Sequence, residues 1–217
     1  MTFEAERGEV LEAVHRISAA GLVAGASGNV SRRISTPDGD VFAITASRVP
    51  YHRFKLDDVL VVDVNVDPIV GEGIPSSESL LHLAMYAARQ DVGAVIHTHS
   101  IHASAFAVAN RRIPPILDEQ VVLLGGAIQV ADYGESSSEA LASNAVRALA
   151  DRAAVLLRNH GAVTVGRDLD EAIAAAELVE RVAQIYAISG ALDSPTELPS
   201  VIVEQEQRAY RMLHELE

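Results

Sequence analysis

Apolar residues recur at helical spacing from the start of the chain. Val10, Leu11, Val14 and Ile17 predict a helix over residues 3–20, which the glycines of "GLVAGASG" end. The pattern then changes to strands. "NVSRRI" and "VFAIT", joined by the turn "TPDGD", read as an antiparallel hairpin, and "VLVVDVNV" as a further strand. "PSSESLLHLAMYAARQ" sets Pro and Ser ahead of apolar residues at helical spacing, so a helix starts near Ser77. "VGAVIHTH" is a strand and "SIHASAFAVAN" a short helix; "AIQVADY", "AAVLLRN" and "GAVTVG" are strands. "SSSEALASNAVRALA" and "DLDEAIAAAELVERVAQIYAISG" are helices, the second long and buried on one face. "VEQEQRAYRMLHELE" reads as a last helix, placed to reach a neighbouring subunit. Strands alternating irregularly with helices predict an α/β fold, a sheet covered by helices. With no repeat or low-complexity linker, residues 1–217 are expected to form a single domain.

Composition narrows the chemistry. The chain has no cysteine, which excludes disulfides, thiolate metal sites and a cysteine nucleophile. A net charge of -13 argues against a nucleic-acid partner. No apolar run approaches a membrane span, and "MTFEAERGEV" lacks the order of a secretory signal, so a cytoplasmic protein is expected. Lys55 is the only lysine and sits in the polar stretch "YHRFKLDD". Schiff-base catalysis needs a desolvated amine, so carbonyl chemistry here calls for another electrophile.

That electrophile has candidate ligands. His97 and His99 are two apart at the end of a strand and project from one sheet face, as a zinc-like ion requires of paired imidazoles. The same spacing also fits two polar residues at a strand end. His102 falls on the following helix and points elsewhere, as a surface or capping histidine. His160, in "NHG", occupies a sharp turn and reads equally as a third ligand or a turn residue. Ser76, Ser77 and Glu78 open a helix whose free N–H groups suit an anion, although a simple N-cap accounts for them as well. Gly28 and Asn29 in "GASGNVS", with Ser47 and Arg48 in "TASR", add donors from two more loops.

Taken in order, "GLVAGASGNVS", "TASRVPY", "PSSESLLHLAMY", "AVIHTHSIH" and "NHGAVTVG" resemble the class II aldolase and adducin-head family, and its L-fuculose-phosphate aldolases in particular. The resemblance implies a central, mostly antiparallel β-sheet flanked by helices, and a homotetramer with active sites between subunits. It implies that His97, His99 and His160 hold a divalent ion, Zn2+ or alternatively Mn2+ or Co2+, with Glu78 as fourth ligand and catalytic base. Gly28, Asn29, Ser47, Ser76 and Ser77 would cradle the phosphate of a small sugar phosphate. The reaction implied is cleavage of a phosphorylated ketose like fuculose 1-phosphate through a metal-stabilised enediolate. A sibling dehydratase, 4-epimerase or decarboxylase of a sugar or sugar-acid phosphate is the alternative. Non-catalytic adducin heads lack the metal ligands, and all of them are present here.

Departures from the family mark where this chain differs. Ala26 stands where the fuculose-phosphate members carry threonine, and Arg48 where they carry glycine. The arginine adds a bidentate charge for phosphate or for a carboxylate, unless it is an ordinary surface arginine. In "RRIPPILDEQVVLLGG" the aldolases place a tyrosine, whereas this chain has Asp118 and Glu119, candidate acids from across an interface or else capping residues. Tyr210 matches an aldolase tail tyrosine and is a further catalytic candidate.

Overall fold

The computed structural model describes residues 2–216. In chain order the elements are α1 (Glu4–Ala19), β1 (Asn29–Thr36), β2 (Gly39–Thr45), β3 (Val59–Val62), β4 (Pro68–Val70), α2 (Ser79–Ala88), β5 (Ala94–Thr98) and α3 (Ile101–Val108). There follow α4 (Asp118–Leu124), β6 (Gln129–Ala131), α5 (Glu139–Leu149), β7 (Ala154–Leu157), β8 (Gly161–Gly166), α6 (Leu169–Leu192) and α7 (Ser200–Leu213). The strands form one eight-stranded sheet in the order β4-β3-β2-β1-β5-β8-β7-β6. Neighbours are antiparallel throughout except β6 and β7. This is a mixed α/β fold with a mostly antiparallel sheet between helices, as expected.

Alternation along the strands sorts the core onto two faces. Phe42, Ile44, Leu60, Val62 and Val95 join one buried cluster with Leu81 and Met85 of α2 and Leu141 of α5. Their neighbours Ala43, Val59, Val61, Ala94 and Ile96 join the other, with Val10, Val14 and Ile17 of α1 and Ile173 of α6. β1 and β5 pair with Asn29 opposite His97 and Ser31 opposite Val95. Asn29, Ser31, Val95 and His97 therefore share one face, the face that α2 covers. Arg33, next in that row, donates to the carbonyls of Tyr86 and Arg89 and ties the end of α2 to β1.

Several expected boundaries move. The strand read from "VLVVDVNV" stops at Val62, because the Asp63 carboxylate accepts from the backbone N–H groups of Asn65 and Asp67 and turns the chain. The chain returns as β4, which the apolar pattern does not reveal. α2 begins at Ser79 rather than near Ser77, since Ser76 accepts from the Glu78 N–H and holds those residues in the preceding turn. β5 ends at Thr98, so His99 lies just beyond the strand. α4 is short, is not marked by periodicity, and stops at Gly125 in a left-handed conformation with φ of 79°. α7 starts at Ser200, directly after Pro199.

Candidate metal centre and active site

Three loops and one strand end meet over the α2 face of the sheet. His97 is fully buried at the end of β5. Its Nδ1 donates to the Ala162 carbonyl at 2.9 Å, which leaves the Nε2 lone pair facing inward. His99 Nε2 lies 2.8 Å from that lone pair. His160 enters from the tight β7–β8 turn, where Asn159 adopts φ of 59° and the His160 N–H returns to the Leu157 carbonyl. The ligand atoms of the three rings all lie within 4.8 Å of one another.

Gly161 makes this convergence possible. A Cβ there would sit 2.2 Å from the Thr98 carbonyl oxygen and 3.2 Å from ring atoms of both His97 and His99. Gly161→Ala is therefore expected to cost about 1–3 kcal/mol through overpacking and to weaken divalent-ion binding by splaying the rings. Thermal denaturation and a metal titration check the two parts separately.

Glu78 closes the fourth side. Its carboxylate is 4% exposed, with Oε1 accepting from the Ser136 hydroxyl at 2.7 Å. Oε2 lies 3.0 Å from His97 Nε2 yet accepts no hydrogen bond, because the His97 proton is committed to Ala162. His160 Nε2 is 3.6 Å from Oε1. A buried, unpartnered carboxylate oxygen facing imidazole lone pairs is costly unless a cation completes it. Burial, then the neighbouring His99 and His160 rings, holds His97 well below the ordinary imidazole range. Burial, then His160, lowers His99. Three converging imidazoles with one carboxylate are the donor set of a zinc-like ion, and the residues fit one.

Beside this cluster lies a cavity of about 150 Å³. It is lined by Gly28, Asn29, Ser47, Arg48, Ser76 and Ser77 together with Glu78 and the three histidines, so all the expected anion-binding residues come to one place. An added rung of pairing holds the loops together. Ser47 donates its N–H to the Ile74 carbonyl, and Ser76 donates its own to Thr45. Gly28, at φ of 87°, approaches the His97 carbonyl so closely that a Cβ would lie 2.6 Å from it. Arg48 is exposed at the rim, with φ of 65°, and its guanidinium has no acidic partner among the described residues.

Other candidates lie elsewhere. His102 Nδ1 pairs with Glu180 at 2.7 Å, and Glu180 also accepts from the Ala103 N–H, so His102 belongs to a cap of α3. Neither Asp118 nor Glu119 lines the cavity: Asp118 is exposed, and Glu119 pairs with Arg181. The expectation for Tyr210 is corrected. It is 2% exposed and packed on Gly125 where α7 meets α4, within its own subunit's core. Burial pushes its phenol up to about 12, and it does not line the cavity. Ser136 and His82, by contrast, went unread. Ser136 had no local signal, whereas His82 is four residues after Glu78 and so on the same helix face.

The sequence profile of the Class II Aldolase and Adducin N-terminal domain matches residues 8–187. The chain belongs to this family. It is 32% identical over 199 residues to a 5-deoxy-D-ribulose 1-phosphate aldolase of Bacillus thuringiensis, covering 92% of each chain. It is also 32% identical over 187 residues to the L-fuculose phosphate aldolase of Escherichia coli K12, covering 86% of this chain and 85% of that one. A solved L-fuculose 1-phosphate aldolase superposes with a TM-score of 0.90 at 30% identity, over 97% of this chain and 98% of that one. The family placement supports an aldolase-type lyase, and the two relatives are aldolases of sugar phosphates.

Proposed function

We propose that this chain is a divalent-metal-dependent aldolase that splits a small ketose 1-phosphate of the fuculose 1-phosphate or 5-deoxyribulose 1-phosphate kind. The observation that carries the reading is the unpartnered Glu78 Oε2 facing three converging imidazoles in the cavity that the serine loops line. His97, His99, His160 and Glu78 would hold the ion, Zn2+ by donor set, with Mn2+ or Co2+ as alternatives. A bound ion supplies Lewis-acid polarisation of the substrate carbonyl. Gly28, Asn29, Ser47, Ser76 and Ser77 bind the phosphate and fix the substrate's orientation. As the carbon–carbon bond breaks, the hydroxyl beyond it gives its proton to Glu78 and becomes the aldehyde carbonyl, the bond's electron pair passes to the ketone-bearing fragment, and Glu78 delivers that proton to its carbon. Lys55 takes no part: its side chain is 68% exposed beside Asp57, the opposite of a desolvated amine.

Asp118 and Glu119 enter this reading only from a neighbouring copy, in a homotetramer with sites between subunits. Exposed apolar side chains at Ile188, Leu192 and Val201 support such an assembly. The 217 residues act as one domain in it. Among the described residues, no helix is long and apolar enough to cross a membrane.

Arg48 favours a second reading at the same site, in which a sugar-acid phosphate is dehydrated, epimerised or decarboxylated. Elemental analysis, then incubation with a panel of ketose phosphates under mass detection, tests the two. About one divalent ion per chain with paired carbon fragments is expected from the three-imidazole site. Metal with loss of water or carbon dioxide but no fragments would favour the sibling chemistry. A metal-free protein that resists reconstitution would overturn both.

Arg48 itself makes a prediction. A left-handed non-glycine residue costs about 1–2 kcal/mol, and the extra unfolded freedom of glycine costs back about 0.4–1. Arg48→Gly should therefore leave Tm unchanged or raise it by up to about 6 °C, while raising KM about tenfold through loss of a charged contact. An unchanged KM would make Arg48 a bystander.

A further inference from the structure

The catalytic reading leaves a fully buried histidine unused: His82, one helical turn after Glu78 on α2. Tyr86 follows a turn later, so Glu78, His82 and Tyr86 form a row on one helix face. Beneath them lie Asn29 and Ser31, alternate residues on the same face of β1. The hydrogen bonds run in one line. Tyr86 Oη is 2.8 Å from Ser31 Oγ, Ser31 Oγ is 2.6 Å from His82 Nδ1, and His82 Nε2 contacts Asn29 Oδ1.

Chemistry sets the direction of this line. Tyr86 is 2% exposed, and Ser31 is the one side chain that bonds its phenol oxygen among the described residues, so the phenol proton goes to Ser31 Oγ. Ser31 then places its own proton on His82 Nδ1. His82 carries its single proton on Nε2 and donates it to Asn29 Oδ1. Burial lowers His82 to about 3, which keeps it neutral with just that one proton. With Oδ1 engaged, Asn29 can present only its NH2 group to the cavity it lines.

We propose that the Tyr86–Ser31–His82 chain is a positioning device that locks the Asn29 carboxamide as a donor, so that the cavity selects a fully ionised, acceptor-only phosphate group. The inference rests on the phosphate-binding reading above. Reversed, the same chain would present a carbonyl oxygen that repels a dianion.

The test is titration of inorganic phosphate into metal-loaded protein, with metal content measured alongside. His82→Leu is expected to weaken phosphate binding about tenfold at unchanged metal content, the scale of one charged hydrogen bond. His82→Gln, whose carboxamide can accept from Ser31 and donate to Asn29, should restore most of it. In an Asn29→Ala background, His82→Leu should have no further effect. Tyr86→Phe, nearly isosteric, lets the chain run either way and should weaken binding about twofold; this variant decides if His82→Leu does not fold. Unchanged phosphate affinity in both His82→Leu and Tyr86→Phe would overturn the proposal, as would equal weakening with and without Asn29. No phosphate binding by the wild-type protein would instead remove the reading on which it rests.

Discussion

His97→Ala and His160→Ala yield folded proteins that bind no divalent ion at stoichiometric concentration and lose turnover of the ketose phosphate by at least about 10³-fold. The magnitude follows from losing several kcal/mol of charge stabilisation at about 1.4 kcal/mol per factor of ten. Folding should survive, because removing an imidazole relieves a crowd of inward-facing lone pairs. His160 is the cleaner test of the two. It sits in a turn and its side chain is 18% exposed, whereas His97 is wholly buried and its loss removes a hydrogen bond to the Ala162 carbonyl. Circular dichroism, elemental analysis and steady-state kinetics on both variants decide the matter. Retained turnover in a variant shown to be metal-free would sink the Lewis-acid reading of this site.

Glu78→Gln separates holding the ion from moving the proton. The amide is the same size, can keep a hydrogen bond with Ser136, and leaves the three imidazoles in place. Metal content should therefore remain substantial. The amide cannot exchange a proton at the reacting carbon, and kcat should fall about 10²–10⁴-fold, the usual worth of a positioned general base. Solvent deuterium exchange into the isolated ketone product reads the same step without cleavage and should disappear with it. A fully active Glu78→Gln enzyme would exclude Glu78 as the base and shift attention to a group from outside this chain.

Much of the site is legible in the sequence alone. Glycine in "GASGN" and "NHG", serine and glutamate at a helix start, and H-x-H at a strand end each carry little alone. Together with "TASR" they name every residue that lines the cavity except Ser136. They are legible because backbone constraints write themselves locally: Gly28 needs φ of 87°, and at Gly161 a Cβ would lie 3.2 Å from two imidazole rings. Tyr210 shows the limit. A tyrosine in a C-terminal helix carries no local mark that distinguishes a tail acid from the wedge between α4 and α7 that it is.

By itself, then, the sequence determined the order of the strands and helices apart from β4 and α4, the covering of the sheet by helices, and the residue types of the metal and anion sites. Their signals are periodicity, turn chemistry and the spacing of donors along the chain, all of which act over a few residues. Only the tertiary structure decided that the Ser136 hydroxyl engages Glu78 from 58 residues away, and that Ala162 holds the tautomer of His97. It alone set α2 over β1, so that Tyr86, Ser31 and His82 reach Asn29. The polarity of a buried hydrogen-bond chain depends on which groups meet across elements, and no local pattern in a sequence encodes that meeting.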